Sequence, residues 1–125
     1  AVALDGDTAL IAAPFDNQTP QLSGAGSAYV FTRSGASWTQ QQKLVAFDAA
    51  PFDNFGHSVA IWGDTALVGA PADDHSGFSD AGAAYVYTRT GATWAFQHKF
   101  TSLAPGVDQY MGNAVALSGA IALVA

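Results

Sequence analysis

The chain repeats itself, and this internal repetition constrains its fold more than any other feature. AVALDGDTALIAAP begins at residue 1, SVAIWGDTALVGAP at residue 58 and AVALSGAIALVA at residue 114. A second phrase, over residues 25–44, matches residues 81–100 at a constant offset of 56 positions. Regular self-similarity of this kind is the signature of a repeat architecture. We therefore divide the chain into copies at residues 1–57 and 58–113 and a partial copy at 114–125.

Each copy is predicted to form short β-strands, labelled a to d by their order in the copy. In the second copy they are SVAI, TALVGAP, AAYVYTR and TWAFQHKF, which are rich in β-branched and aromatic residues and separated by Gly and Asp turns. No segment has the spacing of an amphipathic helix. The sequence therefore predicts an all-β chain of about two and a half antiparallel, four-stranded meanders.

Four-stranded units that repeat at this period indicate the blades of a β-propeller, which stack face to face around an axis. Strands b and c are apolar on both faces, as in Ala66-Leu67-Val68, which suits a sheet with a neighbour on each side. Strand d is more polar and includes Gln40-Gln41-Gln42-Lys43, which suits the outer rim. A two-sheet sandwich is the alternative, but it favours one solvated face on every strand.

Charge and composition exclude several classes of function. The formal net charge is −6, and only four residues are Lys or Arg, so the chain lacks a face that could neutralise phosphates. We therefore expect no nucleic-acid partner. There is no cysteine, which removes disulfides and thiolate metal sites. No apolar run approaches the length of a bilayer span, so membrane insertion is not expected either.

Two motifs carry a family resemblance. Phe55-Gly56 and Gly69-Ala70-Pro71, with SVAI between them and AAYVYTR after them, resemble the FG-GAP repeat. The first copy keeps only Ala12-Ala13-Pro14 of the second motif, and the third has Met111-Gly112 in place of Phe-Gly. The resemblance covers essentially the whole chain. It implies a β-propeller like those of integrin α-subunits and bacterial exported proteins, and hence an extracellular or cell-surface location.

Calcium is the cofactor that the resemblance raises. Integrin-like repeats often hold it in an a–b loop of DxDxDG type, because the ion takes about six to eight oxygen ligands. Here the a–b loops are tight turns, such as Asp5-Gly6-Asp7 and Trp62-Gly63-Asp64, with too few carboxylates. We expect no calcium in these turns and no other cofactor. A calcium site made by Asp73, Asp74 and Asp80 is the weaker alternative.

The candidate binding residues lie in the longer loops. In a four-stranded meander the b–c loops, residues 15–26 and 72–82, and the d–a loops emerge at one end of the blades. Seven of the ten aspartates lie there, which indicates an acidic recognition surface. Because Asp also caps backbone N–H groups in turns, a purely local role is the alternative. The candidate ligand-binding residues are Asp16, Asn17, Asp73, Asp74, His75, Asp80 and Asp108, and the other loop aspartates are Asp48 and Asp53.

Tryptophan and histidine give separate signals. Trp38 and Trp94 occupy equivalent positions in strand d and are predicted to anchor the packing between blades, with sugar stacking as the alternative. Trp62 has no aromatic equivalent in the other copies and is the candidate for contact with a partner. The histidines occupy unrelated positions, so a zinc site is not expected. They are His57, His75 and His98.

Function follows from these features only as a class. No nucleophile or acid–base setting accompanies the Ser, His and Asp residues, so we expect no enzyme. The leading interpretation is a non-catalytic binding or scaffold module that presents its b–c and d–a loops to a protein or glycan partner. The alternative is a self-associating structural subunit of an extracellular assembly. Because about two and a half blades do not close a propeller, we expect part of a longer FG-GAP propeller, or else assembly into a ring or fibre.

Overall fold

The computed structural model describes residues 1–125 and consists of β-strands, turns and loops without a helix. No segment therefore forms a helix with the length and apolar character that crossing a membrane requires. The prediction of an all-β chain is confirmed. The strands are β1 (Val2–Asp5), β2 (Thr8–Ala13), β3 (Ser27–Ser34), β4 (Ser37–Leu44), β5 (Ser58–Trp62), β6 (Thr65–Ala70), β7 (Ala83–Thr90), β8 (Thr93–Thr101), β9 (Val115–Ser118) and β10 (Ile121–Val124).

The strands form two four-stranded sheets and one hairpin, and neighbours in sequence are neighbours in space. β1 to β4 make the first sheet, β5 to β8 the second, and β9 pairs with β10. All pairs are antiparallel. Gly6, Gly63 and Gly119 close the a–b turns with φ between 53° and 57°, a left-handed conformation that glycine adopts without steric cost. The prediction of antiparallel four-stranded blades is thereby confirmed.

The sheets pack against one another, and the main core lies between the first and the second. Leu10 and Val30 of the first sheet are fully buried in one cluster with Val68 and Tyr85 of the second. Strand β1 packs beside β5, and β5 packs beside β9, so the a strands lie where successive sheets converge and the d strands lie outermost. This is the arrangement of propeller blades. That residues 1–125 belong to one propeller domain stays a prediction.

Backbone bridges at two glycines tie each blade to the next. Gly26, immediately before β3, forms a parallel bridge with Phe55, and Gly82, immediately before β7, forms the same bridge with Met111. A Cβ atom on either glycine would clash with the backbone of its partner, and the φ angles are 84° and 80°. Only glycine allows this close approach. The Phe-Gly motif and the Ala-Gly pair before strand c therefore contact each other at the junction between successive blades.

Trp94 anchors the second sheet against the first, as predicted from its position in strand d. It is 3% exposed, and its indole Nε1 donates to Gln41 Oε1 of β4 at 2.8 Å. Trp38 occupies the equivalent position in the first sheet and packs near Arg33, whose guanidinium carbon lies 5.9 Å from the ring centroid. No sheet covers Trp38, and it is 45% exposed. The anchoring role is therefore confirmed for Trp94 alone.

Replacing the junction glycine tests this account of how blades are joined. We expect Gly82→Ala to lower the free energy of unfolding by more than about 2 kcal/mol, because the Cβ meets the Met111 backbone at a positive φ. Gly91→Ala is the matched control: its φ is 62° but nothing lies within 4 Å of the added Cβ, so it should cost only about 1 kcal/mol. Urea unfolding midpoints measure both. Equal losses in the two variants would contradict the account.

Candidate functional site

The b–c and d–a loops lie together at one end of the sheets, as predicted, and form what we call the loop face: residues 14–26, 45–57, 71–82 and 102–114. The backbone of one loop braces the other. Phe52 N–H donates to Ser23 O at 2.9 Å, and Asn54 N–H donates to Gly24 O at 3.2 Å. The same ladder recurs in the next blade, where Asp108 and Tyr110 donate to Ser79 and Asp80. The loop face is therefore held by backbone bonds rather than by side chains alone.

Asp16 is an internal ion-pair partner in the first blade. Its Oδ2 lies 2.8 Å from Lys43 Nζ and accepts hydrogen bonds from Ser27 Oγ at 2.7 Å and Tyr29 OH at 3.1 Å. The Lys43 ammonium, followed by the Ser27 hydroxyl, lowers the pKa of Asp16 to about 2. Its Oδ2 atom is thus engaged by side chains of strands β3 and β4.

Asp73 occupies the same place in the second blade and is almost fully buried. Lys99 Nζ lies 2.9 Å from Asp73 Oδ2 and 2.7 Å from Asp48 Oδ2, so the ammonium joins the two carboxylates. The Tyr85 hydroxyl oxygen is 2.8 Å from Asp73 Oδ2 and 2.9 Å from Asp48 Oδ1, and its single proton serves only one of them. Burial and the two carboxylates raise the pKa of Tyr85. Lys99 offsets the buried negative charge at the centre of this network.

Four further candidates bond to backbone or shape the loops. Asn17 Oδ1 accepts a hydrogen bond from Gly24 N–H at 2.8 Å, and Asp74 Oδ1 accepts one from Asp80 N–H at 2.8 Å. Asp80 and Asp108 have positive φ angles of 50° and 57°, which aspartate tolerates better than most residues. These contacts support the capping role that the sequence left open.

The three aspartates of the weaker calcium prediction do not form a ready coordination shell. No group of three or more His or Asp side chains in the structure has a metal-ligating arrangement. Asp73 Oδ2 lies against a lysine ammonium, and Asp74 accepts the amide of Asp80. Calcium binding by these residues stays a prediction.

His75 lies above the Asp73 network. Its Nδ1 is 3.3 Å from Asp73 Oδ1, but that oxygen and both imidazole nitrogens are buried without a hydrogen bond. Beside it residues 74–79 line an open depression of about 400 Å³. His98 is in β8, edge-on to Phe100 at a centroid distance of 4.7 Å, and His57 precedes β5. The three histidines therefore lie in different parts of the fold and have different neighbouring residues.

Asp53 is a buried carboxyl that the sequence did not single out. Only 3% of the residue is exposed, and Oδ2 accepts a hydrogen bond from Ala50 N–H at 2.7 Å. Burial raises its pKa to about 7, and the negative charges of Asp73 and Asp74 add to the rise. The local sequence around Asp53, with Pro51 and the turn at Ala50, does not indicate that this side chain points inward.

Exposed apolar side chains are the main feature of the loop face that sequence reasoning missed. Phe15 is 76% exposed and Phe52 is 66% exposed. The braced loops hold these side chains outward between the aspartates. The members of this set are Phe15, Val45, Phe47, Phe52, Phe78, Leu103, Val107 and Tyr110.

Trp62, the predicted partner contact, lies at the opposite end of the sheets, at the a–b turn of the second blade. Its residue is 51% exposed. The adjacent Gly63 N–H donates to Asp5 Oδ2 of the first a–b turn at 2.6 Å. Trp62 and the loop face are therefore separate surfaces.

The two perturbed carboxyls give opposite pH dependences. The pKa of Asp16 falls on folding from 3.8 to about 2, so its stabilisation is present above pH 3.8 and is lost as the pH falls towards 2. The pKa of Asp53 rises from 3.8 to about 7, so the folded state binds the extra proton and loses stability as the pH rises through that window.

Asparagine variants test these signs. We expect Asp53→Asn to raise the urea midpoint in solutions above pH 7 and to change it little below pH 3.8. We expect Asp16→Asn to lower the midpoint near neutrality and to lose that effect near pH 2. Parallel pH profiles for the wild type and both variants would contradict these assignments.

The comparison with protein families agrees with the architecture. A family model described as the FG-GAP repeat matches residues 1–31 and 38–87, which together are more than half of the chain. A search of curated proteins found no match. FG-GAP repeats form β-propellers, generally serve as binding or scaffold modules and typically occur in extracellular or surface proteins. The chain belongs to the FG-GAP repeat family.

Proposed function

We propose that this chain is a non-catalytic binding module of an exported or cell-surface protein, and that the loop face contacts a protein or glycan partner. The observation that carries the proposal is the set of exposed aromatic and aliphatic side chains on loops that are braced by backbone hydrogen bonds. Large apolar side chains displayed together at a surface are typical of interaction sites. The family supports the same class of function.

Preorganisation supports binding by these loops. Backbone N–H groups of the d–a loop between β4 and β5 donate hydrogen bonds to the b–c loop before β3. N–H groups of the equivalent loop between β8 and β9 donate hydrogen bonds to the b–c loop before β7. Because the loops are ordered before a partner arrives, less conformational entropy is lost on association. Phe15 and Phe52 are then available as rigid contact groups.

Charge supports a partner with cationic groups. The chain carries a net charge of −6, and Asp74 and Asp108 are exposed on the loop face. Acidic side chains around apolar contacts steer a complementary partner and disfavour an acidic one. Amide or ammonium groups of a protein, or the polar face of a sugar stacked on an aromatic ring, have the matching chemistry.

Two carboxylates of the loop face have structural partners in their own blade, which supports binding rather than catalysis. Asp16 and Asp73 are each paired with a lysine and a tyrosine of their own blade. A general acid or base needs hydrogen-bond reach to a substrate proton. The hydrogen bonds of Asp16 and Asp73 are made instead to side chains of their own blade.

Binding arrays with matched variants test the proposal. We expect the wild-type chain to bind at least one member of an array of glycans or of peptides of varied charge. Phe15→Ser with Phe52→Ser should abolish that binding, while unfolding changes little because both side chains are exposed. Trp62→Ser, at the other end of the sheets, should leave it intact.

Three outcomes would contradict the loop-face proposal. Binding could survive in the loop variant, it could be lost in Trp62→Ser alone, or the wild type could bind neither array. Far-UV circular dichroism and the urea midpoint of each variant separate loss of contact from loss of fold.

A further inference from the structure

Two side chains of the second b–c loop hold every buried side-chain polar atom that lacks a hydrogen bond. These atoms are Asp73 Oδ1 and both imidazole nitrogens of His75. The Asp73 side chain is 3% exposed and the His75 side chain is 11% exposed. Nδ1 lies 3.3 Å from Oδ1, but the two atoms are not aligned for a hydrogen bond. Because buried polar atoms are costly to leave unpaired, their concentration at one contact indicates a ligand site.

The first blade shows how the same loop is arranged when its polar atoms are paired. Asp16 and Gln18 occupy the positions of Asp73 and His75. Gln18 Nε2 donates a hydrogen bond to the carbonyl of Gly26 at 2.6 Å. The imidazole of His75 makes no corresponding bond. The histidine therefore does not replace the structural role of the glutamine.

The second blade also lacks a donor to its carboxylate. Ser27 Oγ donates to Asp16 Oδ2 at 2.7 Å in the first blade. The residue equivalent to Ser27 is Ala83, whose methyl group cannot donate to Asp73. An imidazole thus appears, and a hydroxyl donor disappears, beside the same carboxylate.

The backbone holds the imidazole next to the carboxylate. Asp73 and His75 are separated by one residue, which is the spacing that places two side chains on one side of an extended segment. His75 forms an antiparallel bridge with Phe78, and Phe78 N–H donates to His75 O at 3.0 Å. Residues 76–77 close this bridge with positive φ angles of 55° and 80°. The two unpaired groups are therefore positioned before any ligand binds.

Charge and access both favour a cation at this contact. Lys99 is shared by the carboxylates of Asp48 and Asp73, so the group is net negative. The ammonium contacts Asp73 Oδ2 and leaves Oδ1 unpaired. The open depression of about 400 Å³ that residues 74–79 line is bounded in part by His75 and gives a path from solvent.

The ligand atoms select the class of cation. Imidazole nitrogen and carboxylate oxygen are both zinc ligands, and two ligands of a tetrahedral zinc ion, each about 2.0–2.1 Å from the metal, lie about 3.3–3.4 Å apart. The 3.3 Å between His75 Nδ1 and Asp73 Oδ1 matches that separation. Calcium and magnesium take oxygen ligands, so the nitrogen disfavours them.

We propose that Asp73 Oδ1 and His75 Nδ1 form a binding site for a divalent metal ion of the zinc class. No third His or Asp side chain stands in a ligating arrangement, so water fills the remaining positions. The site differs from the calcium prediction, which used three carboxylates, and from a zinc site of three histidines. It is independent of what the loop face binds.

Isothermal titration calorimetry with zinc chloride and two matched histidine variants tests the site. His75→Gln and His98→Gln each introduce the residue that the first copy has at the equivalent position, Gln18 or Gln42, so both suit the fold. We expect the wild-type chain to bind a single Zn²⁺. His75→Gln should weaken this binding by at least about tenfold, because the nitrogen ligand is lost. His98→Gln should bind zinc as the wild type does.

Urea unfolding gives a second readout. Zinc should raise the unfolding midpoint of the wild type, because an ion that binds only the folded state stabilises it. It should not raise the midpoint of His75→Gln or of Asp73→Asn, which removes the charge of the oxygen ligand. The midpoints without zinc report the effect of each substitution on the fold itself.

Four results would overturn the proposal. The wild type could show no saturable zinc binding, which would leave Asp73 and His75 as an ion pair only. His75→Gln could bind zinc as tightly as the wild type, or His98→Gln could lose binding to the same extent. Equimolar Ca²⁺ could displace the zinc, which would assign the site to oxygen ligands alone.

Discussion

The rest of the structure depends on the close backbone contact between a glycine before strand c and the aromatic or methionine residue before the next strand a. At Gly26 and Phe55, and again at Gly82 and Met111, two backbones approach closer than any side chain would allow. This contact sets the spacing between successive blades. It also starts the ladder of loop-to-loop hydrogen bonds that orders the loop face. Blade stacking and the candidate binding surface therefore share one cause.

Two polar systems act on either side of that contact. On the loop side, lysines of strand d neutralise the carboxylates that begin the b–c loops, as in Lys43 with Asp16 and Lys99 with Asp73. On the outer strands, hydrogen bonds between Trp94 and the side chains of Gln41 and Gln42 link two sheets whose shared core lies mainly on their b and c strands. Hydrogen bonds of this kind add specificity to an apolar interface, because an unpaired buried amide is costly.

Periodicity predicted the fold well and the site only in part. The strands, their antiparallel order and the loop-bearing end followed from the repeated phrases, since each copy must bury the same apolar residues. Lys43 and Lys99 occupy equivalent positions in the two copies, which was a sequence signal for the pairing of Asp16 with Lys43. The b–c loops differ in length by one residue, however, and this difference hid the equivalence of Asp16 and Asp73. The burial of Asp53 and the exposure of Phe15 and Phe52 depend on loop geometry, which local composition does not specify.

The central claim is that the loop face is ordered by its own backbone before any partner binds, and amide hydrogen exchange tests it most directly. The account predicts that the N–H groups of Phe52, Asn54 and Phe55, and those of Asp108, Tyr110 and Met111, exchange slowly, with protection approaching that of β3 and β7. Rapid exchange at these six amides, with the strands still protected, would contradict it. The loops would then be mobile, and the loop face would not be a preformed surface.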